Sequence, residues 1–229
     1  PSLLVVVLLI FTPWLAVAQA QQDTPDPGWK VGTAVARITP QRRLHMRGYA
    51  SRKTPAEGTE QDLFGKAIVI QDAEGQRVVF ITLDLIGVLA ELRTRVEKEV
   101  QEKYQLPPHC LLMNASHTHC GPAYGREDAR DYFDSLATNL VKIVGQAIER
   151  LEPASLTYSQ ARCSVAMNRR TPSGKGFLNH PNPLGPVDHT VPVLAARNPA
   201  GELRAVVFGY ACHNTTMGFY RWPVSYTHL

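Results

Sequence analysis

The sequence predicts an α/β fold, a mixed β-sheet core with helices packed on it. Three observations support this prediction: apolar runs of strand length, two longer stretches with apolar residues at helical spacing, and a strand–helix–strand order near the middle of the chain. Of 229 residues, 44% are hydrophobic and 19% are charged, which is ordinary for a globular domain. This length is sufficient to bury one sizeable core.

Strands are predicted first. Residues 31–38 alternate apolar with small or polar side chains, which is typical of a half-buried strand. After a loop rich in Arg, Gly and Ser over residues 44–60, strands over residues 66–71 and 76–85 flank a turn signal, Asp-Ala-Glu-Gly. Asp84 lies at the end of the last strand. We expect it to cap the following helix, and a catalytic or metal-binding carboxylate is the alternative.

A βαβ unit is predicted next. Residues 89–104 carry apolar side chains spaced by four from Leu92 to Tyr104, which predicts a helix with one buried stripe. Two prolines end this helix, and the apolar run over residues 110–113 predicts a buried strand. The simplest arrangement of such a unit is a parallel strand pair with a right-handed crossover.

The remaining elements are a second helix and three strands, over residues 128–151, 155–165, 191–197 and 203–211. The last two strands are expected to form a hairpin about Asn-Pro-Ala-Gly. Residues 174–186 are rich in Gly, Pro and Asn, and we predict a loop there that forms the rim of a cleft. His180 in this loop is expected to be exposed, and His189 could lie near a site.

The run Asn114-Ala-Ser-His-Thr-His-Cys-Gly-Pro122 carries the strongest functional signal. His117 and His119 are one residue apart just past a predicted strand, so in extended backbone their side chains would point the same way. Neutral imidazole is the commonest metal ligand. By itself the pair is equally compatible with two hydrogen-bonded loop histidines.

A second strand end adds a third histidine. His213 follows the apolar run over residues 203–211, where a strand meets a polar loop. Ligands and catalytic groups collect at such strand ends in α/β proteins. Because a catalytic zinc ion needs three protein ligands and a structural one four, at least one more ligand is expected. Cys120 is an alternative ligand, although adjacent residues of an extended segment point to opposite faces.

These motifs resemble those of the neutral/alkaline, non-lysosomal ceramidase family. The histidine run resembles its Thr-His-Thr-His-Ser-Gly-Pro signature, and Cys212-His-Asn-Thr-Thr resembles its Cys/Val-His-Pro-Thr segment. Matches over residues 32–40, 78–85 and 167–169 come in family order. The resemblance covers residues 30–216, which we expect to be the N-terminal part of a zinc hydrolase domain, a partial catalytic domain.

The resemblance implies a zinc-dependent amidohydrolase that cleaves the N-acyl bond of ceramide, giving sphingosine and a fatty acid by way of zinc-activated water. It implies that His117 and His213 bind Zn²⁺, that His119 stabilises the oxyanion, and that Asn168 and Arg169 contact the substrate, Arg169 also acting in catalysis. The Glu and Tyr that complete the family's zinc shell, and its active-site Ser, match no position here. We therefore expect this chain to be inactive by itself.

Two further functions stay open at this point. One is an exported zinc hydrolase of the same fold that acts on another amide or ester. The other is a non-catalytic, exported binding domain whose histidines are structural. Cys120 stands where the family has Ser, and Asn214 stands where it has Pro. The resemblance therefore implies zinc amidohydrolysis more firmly than it implies ceramide specificity.

The two ends of the chain differ from the expected domain. The apolar start of residues 1–20, with two small-x-small cleavage patterns, predicts a signal peptide that lacks its basic segment, and an uncleaved anchor is the alternative. Residues 21–29 are a polar, Pro-rich linker. We expect an exported protein, periplasmic or secreted. Residues 217–229 depart from the family pattern, and residues 223–229 resemble translated adapter sequence, so we expect an artefactual tail there.

Charge and cysteine content limit the partners. The net charge is +4, and no basic helix or interleaved aromatic pattern indicates a nucleic-acid partner. The expected partner is a lipid substrate, ceramide or a related N-acyl amide, with weak attraction to anionic membrane surfaces. Four cysteines allow up to two disulfides. A Cys120–Cys212 disulfide would join the two histidine-bearing segments, although free buried thiols are the preferred interpretation.

Overall fold

The computed structural model describes residues 28–213, residue 215 and the backbone of residues 225–226. The predicted signal peptide, nearly all of the linker and most of the tail lie outside these residues. The described helices are α1 (Ala90–Tyr104) and α2 (Arg130–Glu149). The described strands are β1 (Lys30–Arg37), β2 (Gly58–Thr59), β3 (Phe64–Gln71), β4 (Arg77–Leu83), β5 (Leu111–Ala115), β6 (Glu152–Pro153), β7 (Ser155–Arg162), β8 (Asn168–Ser173), β9 (Gly176–Asn182), β10 (Thr190–Arg197), β11 (Leu203–Phe208) and β12 (Ser225–Tyr226).

A five-stranded mixed sheet forms the centre, in the order β5-β4-β3-β1-β6. β1, β3 and β4 pair antiparallel, and β3 and β4 are joined by the predicted turn. β5 pairs parallel to β4, with α1 between them in sequence, so the predicted βαβ unit and the α/β class are confirmed. Because β4 and β5 are parallel, their carboxyl ends meet at one edge, where Leu83 pairs with Ala115.

The helices cover one face of this sheet and provide most of the buried core. α1 buries Leu92, Val96 and Val100, the stripe that the spacing by four predicts. α2 buries nine residues along its length, including Phe133, and it lies against β1 and β3. Gly32 permits this close approach, since a Cβ atom there would collide with the backbone of α2.

The other face of the central sheet packs against a second, three-stranded antiparallel sheet in the order β11-β10-β7. A small apolar cluster joins the two sheets, with Ile68 and Ile70 on one side and Ala196 on the other. The predicted hairpin is therefore present as β10 and β11, although its second strand ends at Phe208 rather than at residue 211.

Residues 174–186 were predicted as a loop, and this prediction is wrong over residues 176–182. That segment is β9, which pairs antiparallel with β8 to form a separate two-stranded hairpin. The prolines and glycines of the segment favoured a loop. In addition, neither strand buries a side chain, so the apolar alternation that marks a half-buried strand is absent.

Two other expectations also change. Asp84 does not cap α1, whose N-cap is Leu89. Its carboxylate instead accepts the backbone N–H of Phe64 at 2.9 Å, which holds the end of β4 to the start of β3.

All four cysteines are free thiols, so the Cys120–Cys212 disulfide is not formed. Neither α1 nor α2, the helices of the described chain, has the length and apolar character that crossing a membrane requires.

Candidate metal centre

The histidine loop begins where β5 ends, at the edge of the central sheet. The sequence predicted an extended backbone there, and this prediction is wrong, because His117 adopts a left-handed conformation with φ of +60°. This conformation is uncommon for a residue other than Gly. It turns the chain so that Thr118 is buried while the rings of His117 and His119 still meet, with their centroids 5.0 Å apart.

His213 completes a cluster of three imidazoles. It lies in the loop after β11, and its ring centroid is 4.9 Å from that of His117 and 4.7 Å from that of His119. One ring nitrogen from each residue lies within 4.8 Å of the others. The structure therefore brings together the two strand ends that the sequence marked separately, and it places His119 inside the cluster with the two residues assigned to zinc.

His119 has an electronic environment that favours the neutral ring. Its pKa is lowered to about 4, first by burial and then by the charges of the two neighbouring histidines, Arg52 and Arg169. Both ring nitrogens are buried, and within the described chain neither has a hydrogen-bond partner. A buried polar group without a partner costs roughly 1–3 kcal/mol. A ring held neutral with unshared nitrogen atoms is therefore prepared to bind a cation or to donate to a substrate.

The backbone around His117 sets its tautomer. Nδ1 lies 2.6 Å from the carbonyl oxygen of Ile86, in the loop that follows β4. Because a carbonyl only accepts, Nδ1 carries the proton and Nε2 is left with its lone pair. Metal-binding histidines typically have such a partner behind the ring, which fixes the ring orientation.

His213 has two partners on the same nitrogen. Nδ1 lies 3.0 Å from Oγ1 of Thr215 and 3.2 Å from Nη1 of Arg169. The guanidinium can only donate, whereas the hydroxyl can donate or accept. Binding of a cation at Nε2 requires a proton on Nδ1, which Thr215 can accept and Arg169 cannot. Burial and, next, the charge of Arg169 lower the pKa of His213.

The predicted substrate residues lie at the base of the β8–β9 hairpin. Arg169 reaches the cluster through its contact with His213. The side chain of Asn168 is used within the hairpin base, where its amide donates to the carbonyl of Pro186 at 2.9 Å and its oxygen accepts the N–H of Arg170 at 2.8 Å. A role for Asn168 in substrate binding stays a prediction.

Sequence reasoning missed three residues in the loop over residues 44–60. Gly48, with φ of +115°, lies against His119, and a Cβ atom there would be 2.6 Å from Cγ of the ring. The ring of Tyr49 meets that of His119 edge to face at 4.9 Å. Arg52 donates to the carbonyl oxygens of Arg47 and His119, and it lies over the ring of Tyr49.

Only tertiary contacts connect this loop to the histidines. Met46 forms a β-bridge with Pro122, and the N–H of Arg47 donates to the carbonyl of Gly121 at 3.0 Å. The Gly-Tyr pair and the arginines were visible in the sequence, but no spacing relates them to a segment about 70 residues later. The only available signal was Gly inside an arginine-rich loop.

The other candidate ligands lie outside the cluster. The thiol of Cys120 is directed to Nη2 of Arg52, at 3.6 Å, and is not among the clustered ligand atoms. His180 is exposed on β9 and contacts the carbonyl of Pro181. His189 is not part of the cluster either. Its Nδ1 is buried and has no hydrogen-bond partner within the described residues. Among the described residues, the candidate site therefore consists of His117, His119 and His213.

The fold and the cluster together define a mixed α/β domain with a candidate three-histidine metal centre at a strand edge. The family model described as neutral/alkaline non-lysosomal ceramidase, N-terminal, matches residues 29–225. The chain therefore belongs to this family. It is 25% identical to neutral ceramidase A of Dictyostelium discoideum over 211 residues, and 25% identical to the neutral ceramidase of Pseudomonas aeruginosa over 209 residues.

Each of these alignments covers 84% of the chain but only 29% and 31% of the respective relatives, so the chain spans about a third of their length. The crystal structure of the Pseudomonas aeruginosa neutral ceramidase matches with a TM-score of 0.72 at 24% identity. That match covers 84% of this chain and 33% of the other, and it shows that the two share their fold.

Proposed function

We propose that the protein containing this chain is a zinc-dependent amidohydrolase that cleaves the N-acyl bond of ceramide. The observation that supports this most is the cluster of three imidazoles, with ligand atoms within 4.8 Å of one another, in a chain of the ceramidase family. The names of the relatives support ceramide as the substrate. Export, as periplasmic or secreted protein, is part of the same proposal and rests on the N-terminal sequence pattern.

The residues present fit a zinc ion. His117 offers Nε2 with its lone pair directed away from the Ile86 carbonyl, and His213 can offer Nε2 once Nδ1 donates to Thr215. These two residues would hold the ion, and neutral nitrogen donors are ligands that Zn²⁺ prefers. Zinc would lower the pKa of a bound water to about 7 and polarise the amide carbonyl.

His119 and Arg169 would act on the substrate itself. A neutral His119 can donate one ring N–H to the oxygen on which negative charge develops, and its burial strengthens that hydrogen bond. Nη1 of Arg169 lies 3.2 Å from Nδ1 of His213, to which it can only donate. That bond cannot coexist with a proton on Nδ1 of His213, so with Nδ1 protonated the guanidinium would be available to the substrate.

The histidine roles are tested in the full-length protein by zinc content and by sphingosine release from ceramide, with His117→Ala, His213→Ala and His119→Ala compared. We expect one zinc per chain, lost in the first two variants together with activity. His119→Ala should retain zinc and lose roughly 100–1000-fold in kcat, as for removal of one oxyanion donor. His180→Ala is the matched control, because that histidine is exposed outside the cluster.

The alternatives give different results. Zinc without ceramide hydrolysis would contradict the substrate and favour another amide or ester. Absence of both zinc and hydrolysis would contradict the enzyme and leave a binding domain. Loss of zinc in His119→Ala would make His119 a third ligand rather than a donor. That the 229-residue chain alone is inactive stays a prediction, and ceramide hydrolysis by it would disprove this.

A further inference from the structure

The β8–β9 hairpin differs from the rest of the described chain in combining exposed apolar side chains with a single sign of charge. Residues 163–187 contain three cations and no Asp or Glu. No residue of either strand is buried. Its large apolar side chains are unusually accessible, with Phe177 at 69% and Leu178 at 58% exposed.

Two of these exposed apolar side chains, Phe177 and Leu178, lie at the hairpin tip, defined here as Pro172, Gly174, Lys175, Phe177 and Leu178. Phe177 pairs with Pro172 across the hairpin, and Leu178 pairs with Thr171. Successive residues of a strand face opposite sides, so Phe177 and Leu178 cover both faces of the tip. A two-sided apolar tip is suited to insertion end-on, rather than to packing of one face against a flat surface.

We propose that the hairpin tip docks the protein on an anionic lipid bilayer, so that the histidine cluster is held near the membrane surface. This inference rests on the proposed function, because it names the surface from which the site would take its lipid substrate. Arg170 and Lys175, two cations that lie farther along the hairpin than Arg169, are complementary to anionic headgroups, and apolar side chains reach the acyl boundary.

The hairpin also connects the docking surface to the site. Arg169, near its base, contacts His213 at 3.2 Å. At about 3.3 Å per residue, the tip lies roughly 13 Å along the strand from Arg169. Interfacial segments insert about 5–10 Å. Insertion of the tip therefore brings the cluster within about 10 Å of the headgroups, where the amide group of a membrane lipid lies.

Vesicle sedimentation tests this in the full-length protein and requires no catalysis. We expect binding to vesicles of equal parts phosphatidylcholine and phosphatidylglycerol. The double variant Phe177→Ser with Leu178→Ser should weaken binding at least about tenfold. Lys175→Ala should weaken it about fivefold at low salt and leave binding to pure phosphatidylcholine unchanged. Tyr158→Ser, at a residue 62% exposed on β7, is the matched control and should bind as the parent does.

A second measurement places the tip relative to the acyl chains. In Phe177→Trp, lipids brominated on their acyl chains should quench additional fluorescence compared with the parent. Equal binding of parent and double variant, equal weakening by the Tyr158→Ser control, or no additional quenching would overturn the proposal. The last result would show that another part of the protein covers the tip. Hydrolysis of a water-soluble short-chain N-acyl amide, without vesicles, reports separately on the proposed function.

Discussion

The two halves of the described chain support the histidine cluster in different ways. The core layer, defined as the central sheet with α1 and α2, contains most of the buried side chains and carries His117 and His119 at its edge. The outer strands, β7 to β11, bury a single described residue, Ala196, and they lead to His213 and Arg169. Half of the site is therefore fixed by a closed apolar core, and the other half is held by a few polar contacts.

This difference shows which contacts hold each histidine of the site in position. His119 is confined by Gly48, Tyr49 and Arg52 in addition to its own loop. Outside the cluster itself, His213 is oriented by its hydrogen-bond contacts with Thr215 and Arg169. Changes beneath the first half should act through packing, and changes around the second half should act through single hydrogen bonds.

The largest expected effect separates the two halves by stability. Phe133, in α2, is 2% exposed and packs against the ring of Tyr124 and the guanidinium of Arg130. Phe208, at the end of β11, is 68% exposed. Phe133→Ala should lower the free energy of unfolding by about 3–5 kcal/mol because it leaves a cavity. Phe208→Ala should change it by less than about 0.5 kcal/mol. Denaturant unfolding measures both.

Similar losses of unfolding free energy in Phe133→Ala and Phe208→Ala would contradict the contrast between the core layer and the outer strands. A loss above about 1 kcal/mol for Phe208→Ala alone would mean that another part of the protein buries the face of β11, and the comparison would then hold only for the described residues.

The next effect tests confinement of His119. Gly48→Ala places a methyl group 2.6 Å from the ring, so the imidazole must move. A displacement of about 1 Å can lower the rate roughly 100-fold, and we expect that loss in kcat for ceramide hydrolysis. Gly75→Ala is the matched control, because it also has a positive φ, of +84°, but nothing within 4 Å of a Cβ atom. It should cost about 1–3 kcal/mol of stability and leave kcat unchanged.

The smallest effect tests the polar half. Thr215→Val removes the hydroxyl 3.0 Å from Nδ1 of His213 while keeping the side-chain shape. Loss of such a partner typically lowers metal affinity 10- to 100-fold, and zinc competition with a chelator measures it. Thr215→Ser keeps the hydroxyl and should bind zinc as the parent does. An unchanged affinity in Thr215→Val would show that Thr215 does not set the tautomer of His213.

The same contrast explains what the sequence could predict. In the core layer, burial imposes periodicity, so β1, β3, β4 and β5, both helices and the βαβ unit followed from apolar spacing, whereas the two-residue β6 did not. The β8–β9 hairpin has no buried face, and its prolines and glycines indicated a loop. The histidines at strand ends could be predicted because each directly follows an apolar run of strand length. Gly48 and Arg52 were not, since they meet His119 only after folding.

The positions of the three histidines along the chain also give the site an order of assembly during synthesis. His117 and His119 lie near the middle of the sequence, and His213 follows roughly 90 residues later. At about 5–20 residues per second, His213 leaves the ribosome roughly 5–20 s after His119. During that interval the first two imidazoles exist without the third. The cluster is thus completed only after β11 has been made, and this sets the earliest moment at which all three imidazoles can meet.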